Sequence, residues 1–244
     1  MKENKYDEKT FFEQYSRMSR SVQGLQGAGE WHELQKLLPD FRSKRVLDLG
    51  CGFGWHCRYA AENGAKHVLG IDLSERMLAE ARKRNAAPGV EYCRGSIEDY
   101  AYPANAYDVV ISSLAFHYVE NYSELCRKVA RCLAAGGDFV FSVEHPVFTA
   151  FGTQDWYSDE AGNRLHWPVD RYFEEGKRTA HFLGEEVIKY HRTLTTYLSV
   201  LSHAGFSISS VVEPMPAPKL LAEISEMKEE LRRPMMLLVA AKKN

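Results

Sequence analysis

Residues 46–54 read VLDLGCGFG and residues 70–74 read GIDLS, and this pair constrains the chain more than any other feature. Val46, Leu47 and Leu49 form a short apolar run that suits a strand buried on both faces of a parallel sheet. Gly50, Gly52 and Gly54 follow at alternate positions. Without a Cβ, they let the backbone turn tightly into a helix and approach a ligand closely. A second apolar run ends at Asp72, where a carboxylate can accept both hydroxyl protons of a ribose. The two segments together predict a doubly wound α/β sheet that binds a nucleoside at the carboxyl ends of its strands.

The spacing of the glycines narrows the nucleoside. A dinucleotide turn, G-x-G-x-x-G, needs a small third residue so that helix packs on strand beside a pyrophosphate. Counted from Gly50, that position is Trp55; counted from Gly52, it is Cys57. The pattern present is D-x-G-x-G-x-G, from Asp48 to Gly54. Asp48 in such a turn repels a pyrophosphate and welcomes an ammonium group. A ligand with an adenine, a ribose, an amino-acid tail and no phosphate meets these demands. On these residues the chain resembles the class I S-adenosylmethionine-dependent methyltransferases, in particular the small-molecule branch called methyltransferase type 11. The alternative is a generic nucleotide-binding turn without that ligand.

The resemblance implies S-adenosylmethionine as cofactor, S-adenosylhomocysteine as product, and a set of contacts. Asp72 binds the ribose, while Leu73 and Met77 pack on the adenine. Gly50, Cys51, Gly52 and Gly54 cradle the ligand, with Asp48 toward the ammonium. Ser96, Ile97 and Glu98 correspond to the adenine-contact segment, although the family often carries an acidic residue where Ser96 stands. Ser112 and Ser113 close the fourth strand near the methionine tail, and Tyr15 lies on a helical cover above.

The 244 residues suffice for one large domain with a sizeable core. A net charge of −2 gives no basic face for nucleic acid. The first 14 residues are charged and lack the apolar core of a signal peptide, and no apolar run approaches a membrane span. The five cysteines include no C-x-x-C pair. They read as reduced thiols of a cytoplasmic protein, with neither a disulfide frame nor a metal site.

Along the chain, the patterns predict one methyltransferase domain over 1–244. Residues 1–40 form a helical lid, with Phe11, Phe12, Tyr15 and Met18 on one apolar face. Residues 41–144 form the cofactor-binding core and 193–244 its last helices and strands. The result is a Rossmann-like seven-stranded sheet whose last strand is antiparallel. A helix over 121–135 is expected to stop at Gly136-Gly137, with the fifth strand over 138–143. Residues 145–192 form an aromatic-rich insertion of two hairpins, turning at 160–163 and at Gly184. An insertion at this edge of the sheet suits an acceptor-binding subdomain, with Trp156, Tyr172 and His191 as lining residues and Arg192 beside them. The alternative is a dimerisation arm, and hence a homodimer, since exposed aromatics also mark protein interfaces.

Methyl transfer from a sulfonium needs alignment, desolvation and in some cases a base. The candidate bases are His145 after the fifth strand and His117 after the fourth. The expected acceptor is a small molecule. The competing readings are a tRNA, protein or lipid acceptor, or a protein that binds the cofactor or its product without transfer.

Overall fold

The computed structural model describes residues 4–244, apart from the side chain of Glu226. The first five strands are β1 (Arg45–Leu49), β2 (His67–Asp72), β3 (Val90–Arg94), β4 (Tyr107–Ser113) and β5 (Leu133–Glu144). Two hairpins follow, β6 (Tyr157–Ser158) with β7 (Arg164–His166), and β8 (Gly176–Phe182) with β9 (Glu185–His191). Strands β10 (Phe206–Val212) and β11 (Met236–Lys243) complete the main sheet. Its order is β3-β2-β1-β4-β5-β11-β10. Strands β1 to β5 pair in parallel, and β11 runs antiparallel to both β5 and β10. The expected seven-stranded sheet with its antiparallel last strand is therefore present. The winding reverses between β1 and β4, which opens a crevice at their carboxyl ends.

Alternation along the strands divides the core between the two faces. Leu47, Leu49, Val110, Phe139 and Phe141 face α6 (Tyr122–Cys132) and α8 (Leu194–His203). Val46, Val68, Val109 and Val140 face α3 (Trp31–Leu37) and α4 (Trp55–Glu62). Helix α5 (Glu75–Arg84) is capped by Ser74, whose Oγ accepts the Met77 N–H at 3.1 Å.

The fifth strand departs from expectation. Helix α6 stops at Cys132, and β5 begins at once with Leu133. Gly136 and Gly137 lie inside the strand, where the ladder jumps from Tyr107–Leu133 to Val109–Asp138. Gly136 has φ +69° there, so these glycines shape an irregularity of the strand and do not stop the helix. Between β10 and β11 the chain forms α9 (Pro218–Glu223) and a 3₁₀ turn, Ser225–Arg232.

The N-terminal segment is broken helix: a 3₁₀ turn Lys5–Asp7, α1 (Lys9–Ser16), α2 (Ser19–Val22), a second 3₁₀ turn Gly24–Gly27, and then α3. Residues 1–3 of the expected lid lie outside the described residues. Asp7 ties this segment to α5, accepting from Ser74 Oγ at 2.6 Å and from the Arg76 N–H at 3.1 Å. After β5, α7 (Pro146–Thr149) opens the insertion, and both expected hairpins form. Among the described residues, no helix is long and apolar enough to cross a membrane.

Candidate active site

The two sequence segments meet through backbone. Gly50 and Cys51 N–H both donate to Ile71 O, at 2.8 and 3.0 Å, so the turn folds against the end of β2. Gly50 has φ +76°, and a Cβ there would lie 2.5 Å from Ala115 Cβ. At Gly52, φ is +53° and a Cβ would meet nothing within 4 Å, which leaves open space above the turn. The Asp72 carboxylate accepts the Gly52 N–H at 2.8 Å and the Ser74 N–H at 2.9 Å. Burial raises its pKa, while those backbone donors work in the opposite direction.

A cavity of about 180 Å³ lies beyond this turn. Gly50, Gly52, Asp72, Leu73, Met77 and Ile97 form one end. Ser113, Leu114, Ala115, His117, Tyr118 and Glu144 form the other, at the ends of β4 and β5. Tyr6, Tyr15, Met18 and Arg20 roof it, with Phe182 from the β8–β9 hairpin and Met235 and Met236 ahead of and within β11. A recess of about 70 Å³ continues from Gly50 and Gly52, where Cys51, Ser21, Trp55 and His56 join the lining. Of the residues singled out from sequence, Tyr15, Gly50, Cys51, Gly52, Asp72, Leu73, Met77, Ile97, Ser113 and His117 thus converge on one space.

Others do not. Asp48 lies behind the turn on the α4 face of the sheet, where Cys57 Sγ donates to it at 3.2 Å. Burial, aided by the charge of Asp72, pushes its carboxyl up to about 7. Gly54 opens α4 with φ +78°, where a Cβ would lie 2.2 Å from the Tyr92 hydroxyl. Its constraint is packing against a side chain. Ser112 Oγ donates to Leu49 O at 2.7 Å, and Ser96 Oγ accepts the Glu98 N–H at 3.1 Å. The Glu98 carboxylate accepts the Glu120 N–H at 3.3 Å and lines a neighbouring groove.

His145, expected on the floor of the acceptor space, instead caps α7. Its Nδ1 accepts the Val147 N–H at 3.0 Å, and its Nε2 lies 2.7 Å from Glu213 Oε1. The β5 exit turns this ring toward the C-terminal loop, away from the cavity lining. The lining residues expected from the insertion are also turned inward. His191 is fully buried, with Nδ1 2.8 Å from Thr149 Oγ1 and Nε2 2.9 Å from Tyr172 O. The Tyr172 hydroxyl accepts the Leu194 N–H at 3.0 Å. Trp156 packs edge-on to Trp167 and under Arg232. Arg192 donates to the carbonyls of Phe116, Val119 and Glu120. The insertion thus spends these groups on its own packing and on its joint with the core.

What sequence reasoning missed is a set of buried charges. Arg20 pairs with Glu30, whose residue is only 1% exposed, and Ser113 Oγ donates to the same Glu30 oxygen at 3.3 Å. Burial would raise the Glu30 pKa, but the guanidinium outweighs it and holds the carboxylate ionised. Across the cavity, Lys189 Nζ donates to Glu144 Oε1 at 2.6 Å and to Gln154 Oε1 at 2.7 Å. Gln154 Nε2 closes the ring on Glu144 Oε2 at 2.6 Å. Against its burial, Lys189 holds Glu144 below the usual carboxylate range. One signal for Lys189 was present in the sequence. It alternates with Val187 and His191 on the buried face of β9.

His117 belongs to this cluster. Burial pushes it down to about 4, so the ring is neutral at pH 7. Its Nδ1 accepts the Glu144 N–H at 3.3 Å. Assigning the tautomer from that bond puts the proton on Nε2, 3.9 Å from Glu144 Oε1. At Nε2, His117 is therefore a donor.

A methyltransferase-domain family model matches residues 47–141, the stretch from β1 into β5. The crystal structure of an S-adenosylmethionine-dependent methyltransferase from Mesorhizobium loti is 46% identical. It superposes with a TM-score of 0.83 over 90% of this chain and 100% of that one. A Listeria monocytogenes structure assigned to the same class is 63% identical, with a TM-score of 0.86 over 91% of this chain and 99% of its own. The chain belongs to the S-adenosylmethionine-dependent methyltransferases. Over 42% of its length this methyltransferase is also similar to a trans-aconitate 2-methyltransferase from Acidovorax, 36% identical over 38% of the other chain. The methyltransferase uses S-adenosylmethionine as its cofactor.

Proposed function

We propose that this methyltransferase transfers a methyl group to a small-molecule acceptor held between the ends of β4 and β5. The observation that carries the reading is the roof. The chain's own N-terminal segment and Phe182 cover a cavity of about 180 Å³, which suits a small acceptor better than a macromolecular surface. The Acidovorax relative, by its name, also acts on a small acid.

The residues present fit the cofactor. Open space above Gly52 suits close approach of a ligand. In the adjoining recess, Trp55 Nε1 and Ser21 Oγ are buried without hydrogen-bond partners, and Arg20 stands beside them. Such orphaned groups are costly unless something satisfies them. An amino-acid tail supplies acceptors for Trp55 and Arg20. Asp72 serves the ribose hydroxyls, and Leu73, Met77 and Ile97 the adenine. When bound, the cofactor supplies a methyl group already activated on a sulfonium.

The chain's contribution is alignment and exclusion of water. Among the described residues, no strong base lines the cavity. His117 presents an N–H, which orients an acceptor lone pair. Glu144, held ionised by Lys189, is a weak base. The acceptor is accordingly a nucleophile that needs little deprotonation, such as a carboxylate or thiolate. Incubating the enzyme with methyl-labelled cofactor and a cell extract tests the reading. Label in the small-molecule fraction is expected; label on protein, RNA or lipid alone would sink it.

A further inference from the structure

A second chamber, of about 220 Å³, lies beside the main cavity. The two spaces share Met18, Arg20, Met235 and Met236, whereas Asp72, Leu73, Met77 and Ile97 line only the main cavity. The chamber therefore adjoins the acceptor end of the cavity and lies apart from the residues assigned to the nucleoside. Met227, Pro214 and Pro216 supply its outer wall. Four of the chain's seven methionines meet here, all half-buried; Met236 also packs against the core, whereas Met18, Met227 and Met235 belong to no core cluster. Methionine side chains are unbranched, polarisable and adaptable, which suits a wall that moulds itself to a flexible apolar guest.

The charged groups around the chamber are already paired, Arg20 with Glu30 and Glu230 with Arg233. One atom is left over. Glu30 lines the chamber, and its Oε2 is buried without a hydrogen-bond partner. A carboxylate oxygen in that state asks for a donor from a ligand.

We infer that the acceptor carries a flexible apolar tail that lies in this methionine-walled chamber, an inference that rests on the methyl-transfer reading above. The tail passes Met18 and Met236, while the reacting atom stays near His117 and Glu144. A hydroxyl or amine on the acceptor can satisfy Glu30 Oε2 as it enters.

The test uses n-alkanols from butanol to decanol as probes, titrated by calorimetry into the full-length enzyme saturated with S-adenosylhomocysteine. Affinity should rise about fourfold per added methylene until the chamber is full, then level off. Two variants should flatten the rise. Met227→Trp fills the outer wall, and Gly29→Leu adds a side chain at the chamber lining, where a Cβ meets nothing within 4 Å. Equal affinity for butanol and octanol in the wild type overturns the inference, as does a rise that both folded variants retain. Affinity for S-adenosylhomocysteine, measured separately, should not change in the variants. Failure of the wild type to bind it would strike the methyl-transfer reading instead.

Discussion

Lys189 Nζ lies 2.6 Å from Glu144 Oε1, joining residues 45 positions apart and fastening β9 of the insertion to the end of β5. Both groups are largely buried, so neither is well solvated once its partner is gone. Lys189→Met should destabilise the fold by about 3 kcal/mol, because it leaves an uncompensated carboxylate beside the cavity. Adding Glu144→Gln should restore much of that loss. Urea unfolding of the single and double variants checks this; additive losses would show that the two groups act independently.

Asp72 ties Gly52 to Ser74 through its two carboxylate oxygens, and it faces the cavity. Asp72→Ala should weaken cofactor binding by about 1.5 to 3 kcal/mol, the usual worth of hydrogen bonds to a charged group. Calorimetry with S-adenosylmethionine provides the measurement. Unchanged affinity would remove Asp72 from the ribose.

His145 is a helix cap, and its substitution should read as stability and not as chemistry. His145→Ala should cost about 1 kcal/mol, as lost caps do, with cofactor affinity unchanged. Thermal unfolding and calorimetry on the same preparation separate the two. A large loss of turnover in a stable variant would return His145 to the reaction.

Acid should loosen the protein through its buried histidines. Burial pushes His56 and His117 down to about 4, whereas the unfolded chain titrates near the ordinary 6.5. Between those values the unfolded state binds up to two more protons, so stability falls as pH drops through that window. Asp48 opposes with one proton. It is pushed up to about 7 in the fold but ionises near 3.8 when unfolded, so its contribution weakens as pH rises through the same window. The histidines outnumber it. Urea midpoints at pH 7.5, 5.5 and 4.5 should decline in that order, and Asp48→Asn should steepen the decline.

The N-terminal segment should respond to the cofactor. Tyr6, Tyr15, Met18 and Arg20 roof the cavity, and Asp7 latches the segment to Ser74. Hydrogen exchange over residues 5–30 should slow on binding S-adenosylmethionine, and Asp7→Ala should speed exchange in the ligand-free enzyme. Exchange that ignores the ligand would make the segment plain packing.

Much of the architecture was legible because it rests on local periodicity. Alternating apolar residues, the glycine turn and the acidic end of β2 are each encoded within a few residues. Gly136-Gly137 misled because glycine serves both a helix stop and a strand irregularity. Only the partner strand, with Asp138 held opposite Val109, distinguishes them.

The sequence by itself determined the nucleoside-binding turn, with Gly50, Gly52 and Asp72, because those constraints are on backbone shape and act over short range. The tertiary structure decided what faces the acceptor. It turned His145, His191, Tyr172 and Trp156 into packing and capping groups. It brought Arg20 and Glu144 to the cavity, each with its buried partner, Glu30 and Lys189, from the N-terminal segment, the end of β5 and the insertion. A buried charge is tolerable only beside its partner, and that partner is chosen by the packing of distant elements, which no local pattern records.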